Sequence, residues 1–322
     1  MSVIPVGLHS LLHDETAGFR SNPHQSRLAL PIAQLGASLY VPATRIDLTD
    51  IASGRKFPQL RSVIFCTEDA IHERDLARAL TNLESLLPQL KQGSLLRFIR
   101  PRNPAVLQQL LQMDSIERID GFALPKFDLH SMTDWLRAVD SHYEYWLMPI
   151  LETAETFDRR KMELLRDRLE NSNRRDQMLC LRIGGNDLLN LMGIRRGRGV
   201  TVYDTPLRNV IADLACIFLP VGYHLSAPVF EYLDAPETLN REVALDLLHG
   251  LTGKTAIHPA QIPVIEHGYR VCDDDYAMAA AVLAPDAAAV FRLQDVFCEP
   301  ITHQRWATGV LERARTFGIG QL

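Results

Sequence analysis

The alternation of short apolar runs with longer charged segments of helical periodicity is the feature that most constrains the fold. After the apolar run at 62–66, leucines recur at spacings of three or four residues, which is typical of an amphipathic helix. They are Leu76, Leu80, Leu83 and Leu87. Strands that alternate with helices predict parallel pairing through right-handed crossovers. Eight such units favour a (β/α)8 TIM barrel of the α/β class, although periodicity alone does not distinguish it from an open sheet. The eight runs span residues 37–43, 62–66, 95–101, 119–126, 145–152, 178–185, 223–230 and 254–258.

The length of 322 residues leaves room for segments on both sides of such a barrel. We expect an N-terminal extension at 1–36, a TIM-barrel catalytic domain at 37–260 and a C-terminal helical segment at 261–322. An amphipathic helix within the last segment, at 304–316, carries an apolar stripe that the predicted barrel does not need. We expect this segment to pack at a subunit interface, and the alternative is that it folds back across its own barrel. The stripe consists of Trp306, Val310, Leu311 and Phe317.

Composition excludes several classes of protein. The chain is 47% hydrophobic and 23% charged, as in ordinary globular proteins, with a net charge of −5 that disfavours nucleic acid as a partner. We find no apolar run of the roughly 18 residues that a membrane helix needs, and residues 1–31 lack the apolar core of a secretory signal. The five cysteines contain no CxxC pair. We therefore expect a reduced, cytoplasmic protein without membrane or nucleic-acid partners.

Candidate site residues follow the apolar runs, because a barrel presents its reactive groups at the carboxyl ends of its strands. Among them, Glu152 and Asp187 follow two consecutive runs. Two carboxylates suit Mg²⁺, which commonly takes one or two protein carboxylates and fills its other positions with water and substrate oxygens. The alternative is that each carboxylate only caps the helix that follows it.

Seven segments carry a family resemblance, and they occur in order at predicted strand ends. They are 38–43 (SLYVPA), 65–71 (FCTEDAI), 96–98 (LRF), 124–126 (LPK), 150–153 (ILET), 184–188 (GGNDL) and 253–262 (GKTAIHPAQI). Together they resemble the citrate lyase β-subunit and malyl-CoA lyase family, a branch of the HpcH/HpaI aldolase superfamily. The last segment is the longest and most specific match.

The resemblance implies a role for each matching residue. Glu152 and Asp187 would bind Mg²⁺, and Arg97 would bind the substrate carboxylate. Lys126 would lie at the same mouth as a substrate-binding residue, and the alternative is that it forms a salt bridge at the rim. The remaining catalytic residues implied are Glu68 and Asp69, which organise the water around the metal, and Glu299, which reaches the site of a neighbouring subunit in a homo-oligomer (a trimer or hexamer). The alternatives to Glu299 are that Asp295 has this role or that the carboxylate is an exposed one without a function.

Two departures from the family motifs indicate a divergent member. Cys66 stands where the family has the first aspartate of D-L-E-D, and Asn186 replaces the glutamate of G-A-E-D. A glycine- and arginine-rich loop at 193–199 follows the predicted metal aspartate. Its arginines could clamp a phosphate or a CoA tail, or the loop could be an ordinary solvated surface loop. These predicted substrate-binding arginines are Arg195, Arg196 and Arg198.

The function expected from the resemblance is that of a Mg²⁺-dependent carbon–carbon lyase or aldolase. Its substrate would be a small hydroxy-acid carboxylate or an acyl-thioester, cleaved through an enolate that the metal stabilises. One alternative is a lyase for a phosphorylated substrate without CoA, held by the arginine loop. The other is a non-catalytic barrel that only binds a ligand.

Overall fold

Eight parallel strands form a nearly closed barrel in the computed structural model, which describes residues 32–140, 142 and 144–320. The strands are β1 Ala37–Pro42, β2 Ser62–Cys66, β3 Leu96–Arg100, β4 Gly121–Leu124, β5 Trp146–Leu151, β6 Leu181–Ile183, β7 Leu225–Ser226 and β8 Lys254–Ala256. Neighbours in sequence pair in space, β8 pairs with β1, and a bridge between Ala227 and Lys254 brings β7 against β8. Every strand of the barrel falls within a predicted apolar run, and the TIM-barrel prediction is confirmed.

Helices follow the strands and surround them. They are α1 Leu48–Ala52, α2 Leu76–Leu86, α3 Pro104–Leu110, α4 Met132–Ala138, α5 Arg159–Glu170, α6 Gly185–Leu191, α7 Leu207–Phe218, α8 Pro236–Leu248 and α9 Gln261–Gly268. No helix among the described residues combines the length and the apolarity that crossing a bilayer requires. The predicted N-terminal extension lies outside the described residues, apart from a short 3-10 turn at Ile32–Leu35.

The two faces of each strand have different neighbours, because successive side chains point to opposite faces. Along β2, Val63 and Phe65 belong to the large apolar cluster shared with the surrounding helices. Arg97 of β3 pairs with Val63 in register and therefore faces the helices. Arg100, three residues later, falls on the opposite face and points into the barrel, where its guanidinium contacts Cys66.

The C-terminal tail folds onto its own barrel. Helix α9 packs on β1, β8 and α8 and completes the outer layer. Beyond it come α10 Asp273–Val282, an antiparallel hairpin of β9 Phe291–Leu293 and β10 Val296–Cys298, and α11 Pro300–Phe317.

The stripe on α11 has partners within the same chain. Val310 is buried against α10, in a small cluster that includes Ala279 and Val282. The ring centroids of Phe317 and Tyr269 are 5.1 Å apart. The expectation that the stripe lacks a partner in its own chain is therefore wrong, because α10 and the barrel supply complementary apolar surfaces. Trp306 alone keeps substantial exposure, at 40%.

Candidate active site

Two acidic side chains meet at the carboxyl ends of β5 and β6. Glu152 directly follows β5 and is 4% exposed, and its Oε1 accepts a hydrogen bond from the backbone N–H of Lys126 at 2.8 Å. Asp187 lies in the first turn of α6, close enough to Glu152 for a hydrogen bond between the two carboxyl groups. A Cβ at Gly184 would lie 2.3 Å from Glu152 Cβ, so the approach of these two segments requires glycine.

Without a bound cation, ionisation of Glu152 and Asp187 together is unfavourable. Burial and the charge of Asp187 raise the pKa of Glu152 to about 8. Burial, followed by the charge of Asp69, raises the pKa of Asp187 as well. Neither Glu152 nor Asp187 forms an ion pair with another side chain among the described residues. The charges of Arg100 and Lys126 offset this effect only in part, so the pair is a site where a cation would be stabilised.

A second group of charges lies beside this pair and is internally neutralised. Glu68, two residues after β2, forms an ion pair with Arg100 Nη2 at 3.0 Å and a closer one with Lys126 Nζ. Asp69 lies 3.5 Å from the same ammonium. Together the mouth holds four carboxyl groups and the two cations Arg100 and Lys126. Lys126, Glu68 and Asp69 therefore lie where the resemblance implied, next to Glu152 and Asp187.

Three aligned interior side chains were not identified as a unit from the sequence. Tyr40 lies between Arg100 and Arg182, whose guanidinium carbons are 5.1 and 5.6 Å from the centre of its ring. Arg182 is 2% exposed, donates to Thr255 Oγ1 at 2.7 Å, and keeps a buried Nε without a hydrogen-bond partner. The alternation along each strand was the available signal, since Arg182 precedes Gly184 by two residues and shares its inward face.

The prediction that Arg97 lies at the mouth is wrong. Arg97 is the second residue of β3 and donates from Nε to the backbone oxygen of Ala52, at the end of α1, at 2.7 Å. It therefore lies near the amino ends of the strands and outside the barrel wall. Arg100 is the arginine at the mouth. The sequence carried a signal for this, because Arg100 directly precedes Pro101 at the carboxyl end of the run.

The glycine- and arginine-rich loop does not form a free cationic clamp. Arg196 is 3% exposed and is held by Glu242, Glu231 and the backbone oxygen of Val229. Its predicted role in substrate binding is wrong, because two carboxylates already neutralise the guanidinium. Arg198 pairs with Asp234 at the surface, and Arg195 is exposed.

Lys254, from the most specific family motif, also has a structural position. It is fully buried between β8 and α8, where its Nζ contacts Glu242 Oε1 at 2.9 Å and Asp246 Oδ2 at 2.8 Å. Tyr203 donates its hydroxyl to the other oxygen of Asp246 at 2.7 Å. Lys254 therefore anchors a strand to a helix and does not line the mouth.

Glu299 remains a prediction. It precedes α11 within the C-terminal tail, and its carboxylate accepts a hydrogen bond from Thr302 Oγ1 at 3.2 Å.

The donor set at the mouth fits a hard cation with few protein ligands. No group of three or more His, Cys, Asp or Glu side chains within the described part of the chain is arranged to hold a metal ion. The two carboxylates of Glu152 and Asp187 match Mg²⁺, which demands only one or two and keeps several waters. A closed zinc site, with four protein ligands, has no counterpart among the described side chains.

Comparison with known families agrees with this geometry. The family described as C–C bond lyase of the TIM-barrel fold matches residues 30–319. This chain belongs to that family. The match includes every strand of the barrel and both helices of the tail, and it confirms the resemblance to carbon–carbon lyases. A comparison of this chain with curated proteins found no significant match.

Solved structures share the fold of this carbon–carbon lyase family member at low sequence identity. A citrate lyase from Burkholderia xenovorans LB400 is 17% identical with a TM-score of 0.69, over 89% of this chain and 94% of that chain. CitE from Mycobacterium tuberculosis, in complex with magnesium, acetoacetate and coenzyme A, is 20% identical with a TM-score of 0.65, over 88% and 100%. The citrate lyase β subunit of the same organism, with oxaloacetate and magnesium, is 19% identical with a TM-score of 0.56, over 75% and 100%.

Proposed function

We propose that this protein is a Mg²⁺-dependent lyase that cleaves or forms a carbon–carbon bond beside a carbonyl group in a small carboxylic acid or acyl-thioester. The observation that carries the proposal is the pair Glu152 and Asp187, two adjacent carboxyl groups that form no direct ion pair among the described side chains and keep raised pKa values despite the nearby cations. Membership of a carbon–carbon lyase family supports the reaction class. Magnesium in the solved structures of CitE supports the choice of metal.

Glu152 and Asp187 would hold the metal, and both are fixed by the backbone around them. Lys126 N–H orients Glu152, and the tight turn at Gly184 sets the position of Asp187 on α6. When bound, Mg²⁺ supplies Lewis-acid stabilisation of the negative charge that develops at a carbonyl oxygen.

Arg100 would bind the carboxylate of the substrate. Arg100 is 8% exposed, and its guanidinium is fixed on one side by Glu68, at 3.0 Å, and on its face by the ring of Tyr40. A guanidinium held in this way keeps its planar fork in one orientation, which favours bidentate recognition of a carboxylate. Burial would lower the pKa of Arg100, but the neighbouring Cys66, Tyr40 and Glu68 raise it overall, so the group stays charged.

Lys126 and Glu68 would act as positioning groups. Glu68 Oε1 and Oε2 each contact a different cation, so one buried carboxylate fixes both Lys126 and Arg100. Glu299 of a second copy of the chain is our candidate for the proton transfer that completes the reaction. The acetoacetate and oxaloacetate bound to the related lyases are small keto acids, which supports a substrate of that size.

Isothermal titration calorimetry with MgCl₂ tests the metal site. The wild-type protein should bind one Mg²⁺, and Glu152→Gln and Asp187→Asn should each abolish saturable binding, because each removes one of two protein carboxylates. Glu117→Gln is the matched control, since Glu117 is exposed in the turn before β4. Equal Mg²⁺ affinity in wild type and Glu152→Gln would refute the proposed site.

Subunit complementation tests the role of Glu299. Mixing the inactive variants Glu299→Gln and Glu152→Gln should restore part of the cleavage of oxaloacetate, because mixed oligomers contain some intact composite sites. No recovery after demonstrated subunit exchange would place Glu299 outside the reaction.

A further inference from the structure

The side chain of Tyr40 points into the barrel just below the mouth. Tyr40 lies on β1, two residues before the strand ends at Pro42, and its neighbours Leu39 and Val41 belong to the large apolar cluster on the outer face. Alternation along the strand therefore directs Tyr40 inward. The side chain is partly exposed, and its hydroxyl makes no hydrogen bond with any described residue. A hydroxyl that the core does not enclose and the protein does not satisfy is available to a ligand at the mouth.

Two guanidinium groups hold the ring of Tyr40 in place. The guanidinium carbons of Arg100 and Arg182 lie 5.1 and 5.6 Å from the centre of the ring. Each arginine is itself fixed, because Arg100 pairs with Glu68 at 3.0 Å and Arg182 donates to Thr255 Oγ1 at 2.7 Å. The hydroxyl is therefore held in one position before a ligand binds, which is the requirement for a preorganised donor.

The charge on Arg182 favours a negatively charged partner near this ring. Besides Thr255, its guanidinium donates to Met148 Sδ at 3.8 Å and contacts the thiol of Cys180. Burial raises the pKa of Cys180 to about 11, so this thiol stays neutral at pH 7. Among the described residues no carboxylate forms an ion pair with Arg182. Its positive charge therefore stabilises negative charge on an atom that contacts the neighbouring hydroxyl.

The hydroxyl of Tyr40 remains protonated at neutral pH. Burial raises the pKa of Tyr40 above its ordinary value of 10, and the charges of Arg182 and Arg100 lower it only in part. The charge of Glu152 also raises this pKa, so the phenol lies within electrostatic range of the proposed metal pair. A neutral donor beside two cations suits an oxygen that becomes negative during a reaction.

We propose that Tyr40 is a further catalytic residue, whose hydroxyl donates a hydrogen bond to the carbonyl oxygen of the substrate as negative charge develops there. The inference rests on the proposed lyase function, which supplies that developing charge. Arg182 is a positioning residue, since it acts through the ring of Tyr40. The charge is present in the enolate and absent from the starting carbonyl group, so this hydrogen bond stabilises the enolate more than the substrate.

Calorimetric titration with oxalate and pyruvate in saturating MgCl₂ tests the proposal. Oxalate carries negative charge where pyruvate has a neutral carbonyl oxygen, so oxalate resembles the enolate. Tyr40→Phe removes the hydroxyl and keeps the ring between the two arginines. It should weaken oxalate binding at least about tenfold and pyruvate binding at most about fivefold, because a hydrogen bond to a charged oxygen is roughly twice as strong as one to a neutral oxygen.

Two controls accompany this comparison. Tyr276→Phe removes a hydroxyl from a partly buried tyrosine of the tail and should change neither affinity. Thermal unfolding of Tyr40→Phe should match wild type, since the substitution removes no hydrogen bond between described residues. Titration in EDTA separates the inference from the proposed function. Oxalate that binds wild type equally with MgCl₂ and with EDTA would overturn the metal site, whereas the difference between Tyr40→Phe and wild type would still decide the role of the hydroxyl.

Two outcomes would overturn the role of Tyr40. If Tyr40→Phe weakened oxalate and pyruvate binding equally, or weakened neither, the hydroxyl would not distinguish a charged oxygen from a neutral one. If the wild-type protein bound Mg²⁺ but not oxalate, the hydroxyl would not face a site for a negatively charged oxygen.

Discussion

Replacement of each of the two arginines of β3 by lysine, one at a time, is the most direct test of the site at the mouth. Arg97→Lys and Arg100→Lys are the same chemical change, three residues apart on one strand. Each keeps the positive charge and removes the planar fork. The difference between the two variants therefore reports only which side chain faces the substrate.

The structure sets the expected magnitude for Arg100→Lys. The guanidinium contacts Glu68 at 3.0 Å and Cys66 Sγ at 3.1 Å and lies on the ring of Tyr40. A lysine ammonium can satisfy Glu68, but it cannot at the same time present two parallel donors to a substrate carboxylate. Loss of a charge-assisted hydrogen bond costs about 1.5–3 kcal/mol, which is a loss of about 10- to 100-fold in affinity.

The assay is calorimetric binding of oxaloacetate, a keto acid that a related lyase binds, in saturating MgCl₂. We expect Arg100→Lys to weaken this binding by about 10- to 100-fold, and Arg97→Lys to change it less than about twofold. Thermal unfolding of both variants serves as the check that each is folded. The assignment of Arg100 would be refuted if Arg97→Lys weakened oxaloacetate binding and Arg100→Lys left it unchanged.

The remaining predictions concern the metal pair and the buried charges. Between its ordinary pKa of 4.5 and its raised pKa of about 8, Glu152 is protonated in the folded protein and ionised in the unfolded one. The metal-free protein should therefore lose stability as pH rises from about 5 to 8, measured by urea unfolding, and Glu152→Gln should flatten this dependence. Gly184→Ala should weaken Mg²⁺ binding in calorimetry, because its Cβ would displace Glu152; unchanged binding would contradict the geometry. Lys254→Met should cost about 3–5 kcal/mol in urea unfolding, since it leaves two buried carboxylates unpaired, whereas Arg55→Met at the surface should cost about 1 kcal/mol or less.

The C-terminal helix shows that an apolar stripe in the sequence predicts a helix but not the surface that covers it. The stripe on 304–316 correctly indicates an amphipathic helix, which the structure extends to Pro300–Phe317. The pattern contains no information about which surface covers it, because an apolar stripe packs equally well on its own chain or on another. Only the placement of α10 beside α11 decides that Val310 is buried within the chain.

The sequence by itself indicated the alternation of strands with helices and the acidic pair at the strand ends, because both depend on local order along the chain. Eight apolar runs at regular spacing specify parallel strands, and the residue that follows a strand must lie at the mouth, as Glu152 does. The assignment of cationic partners was decided by the tertiary structure. Which face of β3 carries Arg97 depends on its register with β2, and whether Arg196 is free depends on Glu242, 46 residues away on helix α8. Side-chain direction and charge pairing over such distances arise only when the barrel closes, and this is why the sequence identified the acidic pair at the mouth but not its arginine.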